Sequence, residues 1–126
     1  MRTHKTVLVI DDETHVRRIV ELKLSHGGYD VLSATNGLDG LDLVVAKRPD
    51  AVISDIMMPG LDGRSLCEKT NDLKADRPFL TVIMTGRIET DEQDWLSRMR
   101  DTVFMEKPFS PSRLMACLDR YFGIER

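Results

Sequence analysis

Five short runs rich in Val, Ile, Leu and Phe recur along the chain, at Thr6 to Ile10, Asp30 to Ala34, Ala51 to Ser54, Phe79 to Met84 and Val103 to Met105, and segments of helical spacing separate them. Strict β/α alternation predicts a parallel sheet, because parallel strands need long right-handed crossovers and those crossovers are helices. Val7-Leu8-Val9-Ile10 and Leu80-Thr81-Val82-Ile83-Met84 are apolar on both alternations, so they are expected to be central strands covered on both faces.

The intervening helices differ in how sharply they are bounded. Val16, Ile19, Val20 and Leu24 form one apolar stripe that stops before Gly27-Gly28, and Leu38, Leu41, Val44 and Val45 form a second that ends at Pro49. The last helix is framed by Ser110 as N-cap, Pro111 at its first position and Gly123 beyond its end, with Leu114, Cys117, Leu118 and Tyr121 as its inner face. Helices after Gly63 and around Asp91 to Met99 are less sharply marked, because Asn71 to Pro78 is polar and Arg87 to Asp94 is rich in charge. Within the last of these, Ile88, Trp95, Leu96 and Met99 suit either core packing or, if Trp95 is exposed, a protein-docking face.

At 126 residues, with no repeat or linker, residues 1–126 are expected to form one domain. A formal charge of −3 disfavours direct nucleic-acid binding through a broad basic face and leaves proteins as the expected partners. Cys67 and Cys117 lack metal-ligand spacing and are expected to be free thiols, while His4, His15 and His26 are isolated and expected to be solvated. No run has the length of a membrane span or of a secretory signal, so the expected location is cytoplasmic, without membrane association.

Open parallel sheets bind ligands beyond the carboxyl ends of their strands. Here the first strand ends in Asp11-Asp12-Glu13, the third in Asp55, the fourth in Thr85 and the fifth in Glu106-Lys107-Pro108. Taken singly, each of these is more often an N-cap, a turn residue or surface filling. Together they are not, because three aspartates brought to one rim repel one another unless protonated or neutralised by a cation, and an all-oxygen set suits Mg²⁺ or Mn²⁺. Magnesium held by a few carboxylates is the arrangement found where phosphate is handled. A carboxylate nucleophile such as Asp55 would need a cation and a hydroxyl for the transferred group, and Lys107 and Thr85 supply them.

These segments resemble the receiver domain of bacterial two-component response regulators, of the single-domain chemotaxis type. Val7-Leu8-Val9-Ile10-Asp11-Asp12-Glu13 is similar to the acidic pair of that family, Asp55-Ile56-Met57-Met58-Pro59-Gly60-Leu61-Asp62-Gly63 to its phosphoacceptor segment, and Thr85 and Lys107-Pro108-Phe109 to its remaining markers. The resemblance implies a flavodoxin-like (βα)5 doubly wound α/β fold with strand order 2-1-3-4-5. It implies that Asp55 accepts a phosphoryl group from a sensor histidine kinase or a histidine phosphotransfer protein. Asp12, Asp55 and the Met57 backbone carbonyl would bind the metal directly, and Asp11 through water. Thr85 and Lys107 would hold the phosphoryl group, Phe104 would be the switch aromatic, and Pro108 would set its loop. The surface of the fourth helix, fifth strand and fifth helix would then change for a downstream protein target or for a phosphorylation-linked homodimer.

The chain departs from the family pattern at Gly86, usually Ala, and at Arg100-Asp101-Thr102, usually Gly-Ala before the fifth strand, so that loop is expected to be atypical. Phe104 has no hydroxyl, and ordinary core packing is its plain alternative. Met57 and Arg87 stand where side chains influence the hydrolytic water, and neither is an acid or amide, which implies a long-lived phosphorylated state. No enzyme activity is expected beyond self-phosphorylation and dephosphorylation. An Asp-nucleophile phosphatase would place a second acid two residues after the nucleophile, where this chain has Met57. A phosphorylation-independent scaffold, and a receiver cut from a larger regulator or hybrid kinase, are the alternatives.

Overall fold

The computed structural model describes residues 1–86, 92–107 and 110–126. Its elements are β1 (Thr6–Ile10), α1 (Thr14–His26), β2 (Asp30–Ala34), α2 (Gly37–Lys47), β3 (Ala51–Asp55), α3 (Gly63–Thr70), a 3₁₀ helix (Asn71–Ala75), β4 (Leu80–Thr85), α4 (Glu92–Ser97), β5 (Thr102–Glu106) and α5 (Pro111–Phe122). The strands form one parallel sheet in the order β2-β1-β3-β4-β5, the doubly wound α/β order.

Alternation along each strand sends successive side chains to opposite faces. Val7, Val9, Ala51, Ile53, Val82 and Met84 meet Val20 and Leu24 of α1 and Leu114 and Leu118 of α5 on one face. Leu8, Ile10 and Val52 meet Val44 of α2 and Leu66 of α3 on the other, where Ile83 packs with Cys67 and Trp95. β1 and β4 are central and buried, as their unbroken apolar runs require.

The caps follow the sequence at α5, where the Ser110 side chain accepts a hydrogen bond from the Arg113 backbone N–H and Gly123 closes the helix with a left-handed φ of 68°. Helix stripes proved narrower than their spacing suggested. Ile19, Leu38 and Val45 are exposed, and Tyr121 turns out of the α5 inner face to donate its hydroxyl hydrogen to Asp101 at 2.8 Å. Trp95 is buried, which decides for packing over exposed docking. Both cysteines are free, Cys67 buried and Cys117 half-buried. Among the described residues no helix is long and apolar enough to cross a membrane.

The turn into β5 is unusual, as its sequence suggested. Asp101 takes a left-handed φ of 46°, a conformation that ordinarily favours glycine. Beneath it the Lys74 ammonium is buried and donates to the backbone carbonyls of Arg100 and Asp101 and to Thr102 Oγ1 at 3.2 Å.

Candidate functional site

The carboxyl ends of β1 and β3 bring Asp11, Asp12 and Asp55 together, each offering one carboxylate oxygen, and these oxygens lie within 4.8 Å of one another. Asp11 and Asp55 are buried and Asp12 is exposed, so the cluster opens to solvent along one side.

Backbone geometry fixes each acid. The Asp11 N–H donates to the Ala34 carbonyl and its own carbonyl accepts from the Arg17 guanidinium at 3.0 Å, which ties the end of β1 to β2 and α1. One Asp11 oxygen, Oδ1, accepts from the Glu13 backbone N–H at 2.9 Å. The other, Oδ2, is buried with no hydrogen-bond partner. Arg17 and the Glu13 N–H went unnoticed in the sequence. Each contact uses a main-chain group, the Glu13 N–H or the Asp11 carbonyl, which leaves no side-chain signal in the sequence.

Asp55 is placed by the last pairing of β3 with β4 and by the turn that follows. Its Oδ1 accepts from the Met57 N–H at 3.3 Å. The turn returns so closely that a Cβ on Gly63 would sit 2.7 Å from the Asp55 carbonyl oxygen, and Gly60 carries a φ of 81°. Asp62 then caps α3 by accepting from the Ser65 N–H at 2.8 Å. Glycine at these two positions is therefore a conformational and steric requirement of the loop that presents Asp55, and the Asp62 cap is a hydrogen-bonding one.

Lys107 crosses to the cluster from beyond β5, and its Nζ lies 2.6 Å from Asp55 Oδ2. Its backbone N–H donates to the Thr85 carbonyl at 2.7 Å, so the end of β5 is fastened to the end of β4. Thr85 is buried on the same rim. Burial lowers the affinity of Lys107 for its proton, but the Asp55 hydrogen bond and the charges of Asp55 and Asp11 outweigh it, and the net shift is upward. Asp11 is shifted upward, first by burial and then by the Asp55 charge, against the Glu13 N–H and Lys107, which favour its ionised form.

Phe104, half-buried on β5, pairs in register with Ile83 and packs 5.8 Å from the Trp95 ring centroid. Met57 is 77% exposed at the mouth of the cluster. Arg87 and Pro108 lie outside the described residues.

Three carboxylates facing one ammonium leave an excess of negative charge. An all-oxygen donor set that includes a buried, unpartnered oxygen fits a hard divalent cation such as Mg²⁺ or Mn²⁺.

Comparison with known proteins identifies the family and the fold. The family model for the response regulator receiver domain matches residues 7–119. A probable transcriptional regulator, ycf27, of Guillardia theta is 38% identical over 116 residues, which cover 92% of this chain and 44% of that protein. The chain thus spans about half the length of the curated relatives it matches. Among solved structures, the receiver domain of the Francisella response regulator 1452 superposes with a TM-score of 0.84 at 26% identity, covering 95% of this chain and 98% of that one. The receiver domain of the Pseudomonas aeruginosa sensor histidine kinase PA1611, described with a magnesium ion coordinated in its active-site cleft, has a TM-score of 0.80 at 23% identity, over 94% of this chain and 98% of that one. With a family match across most of its length and the same doubly wound fold, this chain belongs to the response regulator receiver domain family.

Proposed function

We propose that the protein is a phosphoacceptor switch in which Asp55 carries the phosphoryl group. The observation that carries this reading is the Lys107–Asp55 contact of 2.6 Å inside a three-carboxylate cluster that retains an unpartnered Asp11 oxygen. A purely structural ion pair would not need two further acids beside it.

In this reading an Asp55 oxygen attacks the phosphorus of a phosphohistidine on a sensor histidine kinase or histidine phosphotransfer protein, and the P–N bond breaks as the histidine leaves. Asp11, Asp12, Asp55 and the Met57 backbone carbonyl would hold a divalent cation, Mg²⁺ or Mn²⁺, which would supply charge neutralisation for the transferred group. Lys107 exchanges its contact with Asp55 for one with a phosphoryl oxygen, and the Thr85 hydroxyl takes another. Phe104 moves inward as Thr85 shifts, and the surface of α4, β5 and α5 changes for a protein target or a second copy of the chain. The protein turns over no substrate beyond its own phosphorylation and dephosphorylation, since Met57 replaces the general acid that an Asp-based phosphatase would carry. With neither acid nor amide at Met57 or Arg87 to orient water, the phosphorylated form is long-lived.

Intact mass after incubation with acetyl phosphate tests the proposal. The expected result is one base-labile phosphate adduct that requires Mg²⁺, disappears with EDTA and is absent in Asp55→Asn. An adduct of equal yield in Asp55→Asn would overturn the proposal.

A further inference from the structure

The only tryptophan in the chain stands between Phe104 and α3. Trp95 is 5% exposed, and its ring has distinct partners on different sides. Phe104 lies 5.8 Å away, centroid to centroid, with the rings inclined at 47°. The indole N–H donates to Glu68 Oε1 at 3.0 Å, and the Arg64 guanidinium carbon lies 5.0 Å from the ring centroid. Arg64 and Glu68 are four apart on α3, so they project from the same face and bracket the indole. A buried indole N–H has to find an acceptor, and an arginine near the ring face adds a cation–π attraction.

The position on the sheet gives this bracket its meaning. Phe104 is paired with Ile83, and Thr85 lies two residues further along β4 on the same face. Thr85, Phe104 and Trp95 therefore occupy successive places from the acidic site toward α3, all on the side of the sheet that packs against α3 and α4. Interiors are close-packed, so a ring that leaves one side of Trp95 removes packing that holds the indole against its other partners.

We infer that Trp95 is a positioning residue that couples the placement of Phe104 to α3, and that the Arg64–Trp95–Glu68 bracket is a latch whose closure depends on the state of Asp55. The inference rests on the reading of Phe104 as the switch aromatic. It adds to the α4-β5-α5 surface a second state-dependent surface, the face of α3 that carries Arg64 and Glu68. With Phe104 against Trp95 the latch is closed and α3 is held to α4. With Phe104 drawn toward Thr85 the latch loosens, and α3 is released from α4.

The test compares hydrogen exchange of the α3 backbone and Trp95 emission, with and without acetyl phosphate and Mg²⁺, while intact mass reports the adduct. In the native chain, exchange within Gly63–Thr70 is expected to rise about threefold on phosphorylation, the scale of a weakened surface contact, and Trp95 emission is expected to shift with it. Glu68→Ala removes the acceptor, keeps the adduct and loses the dependence of α3 exchange on phosphorylation. Glu68→Gln, whose amide oxygen still accepts from the indole, retains that dependence. A merely structural Trp95 would move the baseline of Glu68→Ala without abolishing its response. An adduct with unchanged α3 exchange and emission in the native chain, or a full response in Glu68→Ala, overturns the latch and leaves Asp55 chemistry standing. Absence of any adduct overturns the phosphoacceptor reading and the latch with it.

Discussion

Buried charge sits at both ends of this sheet, handled in opposite ways. At the amino end of β5 the Lys74 ammonium donates to two backbone carbonyls and a threonine hydroxyl and lies 4.7 Å from the Phe79 ring centroid. Every donor of that ammonium has an acceptor. At the carboxyl ends of β1 and β3, three carboxylates cluster beside one lysine, which pairs with Asp55, and Asp11 Oδ2 has no partner. A complete cluster is a structural device that stabilises a left-handed turn at Asp101. An incomplete one, in the proposed reading, keeps its binding capacity for a cation and a phosphoryl group.

That contrast gives substitutions of opposite sign. Lys74→Ala removes the donors and opens a cavity, and is expected to destabilise the fold by about 3 kcal/mol in urea unfolding while leaving phosphorylation of Asp55 intact. A cost below about 1 kcal/mol would mean that the Asp101 turn holds without its ammonium.

The pH dependence of stability separates the two ends as well. Burial pushes the Lys74 ammonium down to about 8 from the ordinary 10.5, so above pH 8 the folded chain sheds this proton while the unfolded chain retains it. The unfolded state then binds more protons, and stability attributable to Lys74 rises with pH. The gain is roughly 2 kcal/mol between pH 8 and 10, read as the difference between the native chain and Lys74→Met. Tyr29 and Tyr121 are both shifted upward, by burial first and then by their bonds to Asp119 and Asp101, so they oppose folding only above the ordinary tyrosine range, beyond that window. A difference that falls or stays flat from pH 8 to 10 would show that the ammonium keeps its proton through its three acceptors.

Smaller effects are expected at the incomplete end. Without metal, Asp11→Asn is expected to stabilise the fold by about 1 kcal/mol, because it relieves a buried acid beside Asp55. Mg²⁺ at ten times its dissociation constant is expected to stabilise the native chain by about 1.4 kcal/mol and to do far less for Asp11→Asn or Asp12→Asn. Thermal melts with and without Mg²⁺ measure both. Equal Mg²⁺ stabilisation in native and variant chains would place the cation elsewhere.

The two ends also differ in how legible they were in sequence. Asp11, Asp12, Asp55 and Lys107 each follow an apolar run, so strand topology alone carries them to one rim. Lys74 lies in the polar stretch Asn71 to Pro78, which has the composition of a solvated loop, and its principal acceptors are main-chain carbonyls 26 and 27 residues away with no side-chain signature. The unusual Arg100-Asp101-Thr102 turn was visible, but its support was not. Ile19, Leu38 and Val45 fit helical spacing yet lie past the edge of the buried stripe, where periodicity does not distinguish a flank from a face. Trp95 suited either core or surface until the bracket of Arg64, Glu68 and Phe104 placed it inside.

The most direct test is to locate the phosphoryl group itself. Borohydride reduction of the protein after acetyl phosphate and Mg²⁺ converts an aspartyl phosphate to homoserine, and peptide mass mapping reads the position. Homoserine at Asp55 alone, formed only with Mg²⁺, is the predicted result. Homoserine at Asp11 or Asp12, or equal labelling without the cation, would contradict the claim that the incomplete cluster exists to phosphorylate Asp55.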